Sequence, residues 1–410
     1  MLRIFLLSVI LASSSCLYAQ NSIREAREVI HRFAGEFPAK LKLSFIDKEN
    51  NCDVFETKVR NGELEIRGSS GVALCRGFYD FIKSNHAGIS AWSGNRCIFP
   101  ASLPENMEKR VVSPFPRHYY YNVVTYGYTL PYWDWQRWEE EIDWMALHGV
   151  DMPLALVANE AITARVWKRL GLTEEEIQSY FVGPAHLPWM RMGNISQIDG
   201  PMPVEWHSDQ VELQHKILKR MKLLGMKPIC PAFAGFVPLA LKRLYPDVKI
   251  IETTWAGFHN WMLSPEEELF TRIGQLFIEE WEKEFGKNDF YLADSFNEMD
   301  VPFPPIGTKE RYDMLAFYGK QVYKGIKAGN PDAVWVMQGW MFGYQRDIWD
   351  YETLQALVSK VPDDKMMLLD LAADYNKNVW GNGMNWEFYK GFFNKLWVYS
   401  VIPNMGGKTG

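Results

Sequence analysis

The sequence predicts an α/β fold, with a small N-terminal α/β domain followed by a (β/α)8 barrel of the TIM type that stops after about its seventh strand. Three observations carry this. From residue 117 onward, near-continuous apolar runs of strand length alternate with amphipathic helices, the pattern of a parallel sheet covered by helices. The helices end in readable caps and glycines. Pro100, Pro104, Pro114 and Pro116 punctuate a linker between this region and a shorter one with alternating strands. The boundaries are drawn at 1–19 for a signal segment, 20–112 for the N-terminal domain and 113–410 for the barrel, incomplete at its C-terminal end.

Arg3 precedes the apolar run 4–12, and Leu17-Tyr18-Ala19 places a small residue before a cut between Ala19 and Gln20. That is the form of a secretory signal and implies a secreted or periplasmic protein. Ser13-Ser14-Ser15-Cys16 is a poor lipoprotein box, which disfavours a lipid anchor at Cys16. No other apolar stretch approaches about 18 residues, so membrane insertion is not expected. Of the remaining cysteines, Cys230 reads as a buried thiol in a strand; one disulfide among Cys52, Cys75 and Cys97 is allowed, but spacing cannot assign it.

In the N-terminal domain Ser22 is placed to cap a helix bearing Ile23, Ala26, Ile30 and Phe33, followed by strands near 41–46, 54–59 and 64–67 and a helix near 71–83. The barrel strands are expected at 119–125, 152–157, 227–233, 290–296, 333–338, 366–372 and 396–402. Asp134 caps a helix closed by Gly149, Asp209 caps another closed by Gly225, and a third carries Leu315, Tyr318, Val322 and Ile326 ahead of Gly329. About seven βα units leave either an open doubly wound sheet or a barrel cut before closure, and the count favours the cut barrel.

Charge and motifs remove several chemistries. With 44 Lys+Arg against 50 Asp+Glu, a net charge of −6 and no cation run, nothing neutralises a nucleic acid or an anionic membrane. The eight His are scattered and no CxxC or HExxH occurs, so no metal is expected, and no cofactor. Lys227, Lys365 and Lys395 stand at strand starts, away from where a Schiff base would form. Gly88-Ile89-Ser90-Ala91-Trp92 lacks the second glycine of a nucleophile elbow, and Gly407-Lys408-Thr409 lacks the first glycine of a P-loop.

Barrel active sites gather at the C-terminal ends of the strands. Those ends carry Asn122, Thr125, Tyr126 and Tyr128, then Asn159 and Glu160, Asn297, Glu298 and Asp300, Gln338 and Trp340, Asp370 and Asp374, and Asn404. Carboxylates and amides bind hydroxyls, and rings pack on the apolar face of a pyranose, so a neutral glycan fits this set. Glu298, closing an apolar run with Asn297, is the candidate general acid; the competing reading is a surface Glu opening the loop before Pro302. Asp294 lies about 13 Å away if the strand continues, too far for the ~5 Å carboxylate pair of a retaining glycosidase. Asp370 is divided evenly between structure and site, Glu160 can equally open the next helix, and Trp189 and Trp340 can pack under loops.

Taken together, Tyr120-Tyr121-Asn122-Val123, Trp133-Asp134-Trp135, Arg191-Met192-Gly193-Asn194, Pro231-Ala232-Phe233-Ala234-Gly235, Phe296-Asn297-Glu298-Met299 and Gln338-Gly339-Trp340 stand in a recognisable order. The chain resembles the α-N-acetylglucosaminidases of glycoside hydrolase family 89. The resemblance implies retaining exo-hydrolysis of glycans ending in α-linked N-acetylglucosamine. Glu298 then matches the general acid/base and Asn297 a neighbouring sugar contact, with Asn122, Tyr128, Trp189 and Trp340 at sugar-pocket positions; Asp370 and Asn404 join them from the strand ends. Val124 departs from relatives that can carry Cys there. The family's nucleophile lies beyond Asn404-Met405-Gly406-Gly407, in chain that this sequence does not contain. A catalytically inert glycan-binding protein is the alternative, and oligomeric state, a homo-oligomer included, is left open. In an α-linked N-acetylglucosamine the acetamido group is cis to the leaving oxygen and cannot replace a protein carboxylate. Residues 20–410 alone are therefore expected to turn over an aryl α-N-acetylglucosaminide poorly, and robust turnover abolished by Glu298→Gln would contradict this.

Overall fold

The computed structural model describes residues 19–36, 40–99, 102–104, 106–203, 205–294, 296–339, 341–345, 348–371 and 394–400. The chain forms two compact units. The first comprises Met1–Tyr119, Asp134–Pro153 and Lys216–Pro228, the second Tyr120–Trp133, Leu154–His215 and Ile229–Gly410.

The first unit is built on a four-stranded sheet in the order Lys40–Phe45, Glu63–Gly68, Val54–Arg60, Glu108–Val112, parallel in its first pairing and antiparallel in the others. Val59, Leu64 and Ile66 alternate with exposed or half-exposed neighbours, so one face is apolar. The helix Gly71–Ser84 covers that face, capped by the Ser70 hydroxyl, which accepts from Ala73 N at 3.0 Å. The helix Trp135–His148 belongs to this unit, with Asp134 accepting from Arg137 N at 2.9 Å and Gly149 in the left-handed conformation behind it. A buried charge cluster ties it down. Asp143 accepts from Arg32 Nε at 2.6 Å and from Arg220 Nη2 at 2.6 Å, and Arg220 Nη1 also meets Glu25 at 2.8 Å. Three stretches distant in sequence are thereby held by one carboxylate.

The second unit contains a parallel sheet in the order Leu396–Ser400, Met366–Leu371, Val334–Gln338, Phe290–Leu292, Ile229–Pro231. The ladder continues beyond Ile229, which bridges Leu154 in parallel, and Leu154 N donates to Tyr120 O at 3.2 Å. Neighbours in space are neighbours in sequence, and helices such as Glu268–Phe285 and Lys309–Gly329 lie between the strands. This is the βα alternation of a barrel. The strand residues Tyr291, Trp335, Val336, Met337 and Leu368, which point to both faces, are all buried, as a sheet covered on both faces requires.

The structure corrects several local expectations. Ser22 lies inside a helix that spans residues 19–34 and does not cap it. Asp209 falls in the first turn of the helix Trp206–Leu224, where its charge suits the helix dipole. Residues 121–125 do not prolong the first barrel strand. Tyr119, Tyr120 and Tyr121 are all buried, and only the first two belong to the strand Tyr119–Tyr120. A left-handed φ of 82° at Tyr121 turns the chain into the helix Val123–Tyr128. Likewise the strand expected over 290–296 ends at Leu292. Cys52, Cys75, Cys97 and Cys230 are all free thiols, so no disulfide joins the first three.

Gly319 offers a test of packing in the Lys309–Gly329 helix. A Cβ there would stand 2.0 Å from the Leu357 carbonyl oxygen. An alanine in mid-helix ordinarily stabilises by roughly 0.5–1 kcal/mol relative to glycine. Here Gly319→Ala is expected to invert that sign and cost about 1–3 kcal/mol through overpacking, read from thermal or urea unfolding.

Candidate active site

After Leu292 the chain runs irregularly, and two non-glycine residues adopt the left-handed region, Phe296 at φ 58° and Glu298 at φ 54°. Such backbone costs on the order of 1–2 kcal/mol per residue and persists only where the surroundings impose it. The surroundings here are specific. Phe296 is buried, with Phe303 and Tyr318 rings each 4.8 Å from its own. The Asn297 carbonyl accepts from Asn194 Nδ2 at 2.6 Å, and Glu298 N donates to Gln345 Oε1 at 2.8 Å. Burial of one large ring contributes about 1.5–3 kcal/mol and each hydrogen bond about 0.5–1.5 kcal/mol, which is enough to offset the strain.

Asn194 is itself held. Gly193 has φ 81°, and a Cβ on it would stand 2.0 Å from Phe236, so only glycine permits this turn. The Gly193 carbonyl accepts from Asn260 Nδ2 at 2.8 Å, and Asn260 Oδ1 accepts from Ser196 Oγ at 2.9 Å. Just before this turn Arg191 forms a bidentate pair with Glu160, at 2.8 and 2.9 Å, both side chains buried. Burial pushes the Glu160 carboxyl up, but the Arg191 charge and hydrogen bonds outweigh it, and the carboxyl is held below its ordinary range. Glu160 is thereby committed to structure. Asp294 is committed too: Gln338 donates to it from both backbone N, at 2.8 Å, and side-chain Nε2, while burial raises its carboxyl to about 6.

Glu298 differs from both. It is half-buried, Oε2 accepts from Trp255 Nε1 at 3.2 Å, and no other side-chain partner is found among the described residues. Burial raises its carboxyl above the ordinary value, and the indole hydrogen bond partly opposes the rise. Aromatic rings extend from this point. Trp189 stacks on Trp255 with centroids 4.7 Å apart, Tyr128 meets Trp189 edge-on at 6.5 Å, and Phe258, 44% exposed, lies 6.3 Å beyond Trp255. The Tyr128 hydroxyl is raised by burial and then by the Glu298 charge.

Of the residues the sequence nominated, Glu298, Tyr128 and Trp189 converge. Asn297 is adjacent and fully buried, and both of its amide atoms lack a partner among the described residues. Asn122 is buried just ahead of the helix Val123–Tyr128. Asp300 turns aside: its backbone bridges Thr254 on the neighbouring hairpin. Trp340, Asp374, Asn404 and the side chain of Asp370 lie outside the described residues, as does the segment read as a signal. Sequence reasoning missed Trp255, Asn260 and Gln345. Trp255 ends the strand Ile250–Trp255, which pairs with Phe258–Leu263 across Ala256 and Gly257, both left-handed, a type I′ arrangement. Only Gly257 hinted at that hairpin, and nothing local indicated that it reaches Glu298. Among the described residues no group of three or more His, Cys, Asp or Glu could hold a metal ion.

Comparison with known proteins places this geometry. Residues 24–105 match the N-terminal domain model of α-N-acetylglucosaminidase (NAGLU), and residues 118–410 match its TIM-barrel domain model. Human α-N-acetylglucosaminidase is 38% identical over 354 residues, which cover 85% of this chain and 46% of the human protein. A family 89 glycoside hydrolase from Clostridium perfringens, solved with 2-acetamido-1,2-dideoxynojirmycin, superposes with a TM-score of 0.83 at 26% identity, covering 95% of this chain and 43% of that one. The same organism's enzyme in complex with its substrate GlcNAc-α-1,4-galactose gives a TM-score of 0.78 at 27% identity over 89% of this chain and 41% of that one. The chain thus spans less than half the length of these relatives. With both domain models matched in order around the strained Asn297–Glu298 segment, the chain belongs to the α-N-acetylglucosaminidase (NAGLU) family.

Proposed function

We propose that Glu298 is the general acid/base of a family 89 exo-glycosidase that releases terminal α-linked N-acetylglucosamine with retention of configuration. The observation that carries this reading is the difference between three carboxylates. Glu160 and Asp294 are buried and bound to Arg191 and Gln338, whereas Glu298 keeps an oxygen without a partner among the described residues, beside a row of aromatic rings. Glu298 protonates the glycosidic oxygen in the first step and deprotonates water in the second. Tyr128 and Trp189 offer apolar surface to the sugar, and Asn297, Asn122, Trp340, Asp370 and Asn404 complete its surroundings. The leader over residues 1–19 directs the enzyme to glycans outside the cytoplasm. Family membership and the glycan complexes of the Clostridium perfringens enzyme support the substrate class.

The sign of the pH dependence follows from the site. A general acid works only while protonated, and burial keeps Glu298 protonated to higher pH than an ordinary carboxyl. The alkaline limb of kcat/KM is expected above the ordinary glutamate value of 4.5 and is expected to vanish in Glu298→Gln. Whatever turnover the polypeptide supports with a sugar leaving group should fall about 10²–10⁴-fold in that variant, the range general acid catalysis supplies. Unchanged turnover would exclude Glu298 from this role. Isothermal titration with N-acetylglucosamine checks the pocket independently: binding weakened at least tenfold, about 1.4 kcal/mol, by Trp189→Ala is expected, and absent binding by the parent protein would remove the glycan reading altogether.

A further inference from the structure

We infer that Trp255 is a positioning residue that decides which oxygen of Glu298 carries the catalytic proton. The inference rests on the general acid role proposed above, but the contact itself can be tested without it. An indole nitrogen only donates; it has no lone pair with which to accept. Its N–H points at Oε2 from 3.2 Å, so Oε2 must serve as an acceptor in both charge states of the carboxyl. A carbonyl oxygen accepts more strongly than an acid hydroxyl, so in the protonated state the contact favours the O–H on Oε1, the oxygen that has no partner among the described residues. A carboxylic acid without such a donor would divide its proton between the two oxygens. Here the indole N–H biases that division toward Oε1.

The donor is well anchored. Trp255 occupies the end of a hairpin whose turn residues Ala256 and Gly257 both have positive φ, and its ring is stacked against Trp189. Asn260, on the partner strand and on the same face, binds the Gly193 carbonyl, while Asn194, next in the chain, binds the Asn297 carbonyl. Indole and carboxyl are thus fixed to one buried hydrogen-bond chain and keep their register. In the first chemical step the Oε1–H bond breaks and its proton passes to the glycosidic oxygen. The C1–O electron pair leaves with the departing sugar as a second carboxylate, the nucleophile of the retaining route, bonds C1. The Glu298 carboxylate that remains is stabilised by the indole N–H; in the second step Oε1 takes a proton from water as the water oxygen bonds C1 and the bond from C1 to the nucleophile breaks.

Nitrogen-15 spectra of indole-labelled protein test the contact directly. One indole N–H resonance should shift with a single titration of midpoint above 4.5, and the same resonance should be pH-invariant in Glu298→Gln. If no indole titrates with Glu298, the proposal is overturned, whatever the activity. Leaving-group dependence tests the consequence. Trp255→Phe keeps a ring against Trp189 but removes the donor, and should lower kcat/KM for GlcNAc-α-1,4-galactose at least tenfold, within the range of general acid effects. α-N-acetylglucosaminyl fluoride needs little protonation and should change by less than about threefold, and the alkaline limb should move to higher pH as a stabiliser of the carboxylate is lost. Equal losses on both donors would mark a merely structural tryptophan. Hydrolysis that survives Glu298→Gln would instead defeat the general acid reading while leaving the spectroscopic result standing.

Discussion

The hydrogen bond from Asn194 to the Asn297 carbonyl is the contact on which the site depends. It joins the loop that follows the helix Leu187–Arg191 to the strained segment that carries Glu298. An amide buried at both partners would cost several kcal/mol if left unmade, so the two segments move together or not at all. Everything that fixes Asn194 therefore also fixes the acid. Gly193 supplies a turn no other residue allows, Asn260 receives that turn from the hairpin, and Arg191 with Glu160 holds the preceding helix against the barrel.

This arrangement explains why the polar groups around the site are so unequal. Glu160 and Arg191 form a buried pair that stabilises only modestly as a pair but would be costly to break, since either charge alone would be stranded. Asp294 and Gln338 do for the neighbouring strand ends what Glu160 and Arg191 do for the loop. Among the described residues, Glu298 is the one of these three acids without a committed partner on both oxygens. Its environment is dry enough to raise the carboxyl and open enough to reach. Rigid neighbours and one lightly restrained acid are what general acid catalysis requires.

Strain and aromatic surface then have a shared origin. A strand running on to residue 298 would have alternated its side chains across the sheet and aimed Asn297 and Glu298 at opposite faces. Ending it at Leu292 and turning through Phe296 and Glu298 lets Phe296 fill the space among Phe303, Tyr318 and Trp349, while Glu298 meets Trp255. The same device appears at Tyr121, where one left-handed residue ends the strand Tyr119–Tyr120 and turns the chain into the helix Val123–Tyr128.

The sequence by itself determined the alternation of strands and helices along the barrel, the cap at Asp134, the closing glycines Gly149 and Gly225 and the nomination of Glu298, because each depends on local periodicity or on residue chemistry within a few positions. It could not show where the strands stop. Beyond Tyr119–Tyr120 and Phe290–Leu292 the chain turns through left-handed residues, Tyr121 and Phe296, and long-range contacts of the packed barrel impose such turns. Nor could it show what holds Glu160 and what leaves Glu298 lightly restrained, two acids both read at strand ends. Arg191 lies thirty-one positions from Glu160, and Trp255 forty-three from Glu298, and those partners decide which carboxylate is spent and which stays free. Partners so remote in the chain meet only when the loops of different βα units close over the same end of the sheet, and that is a decision of tertiary structure.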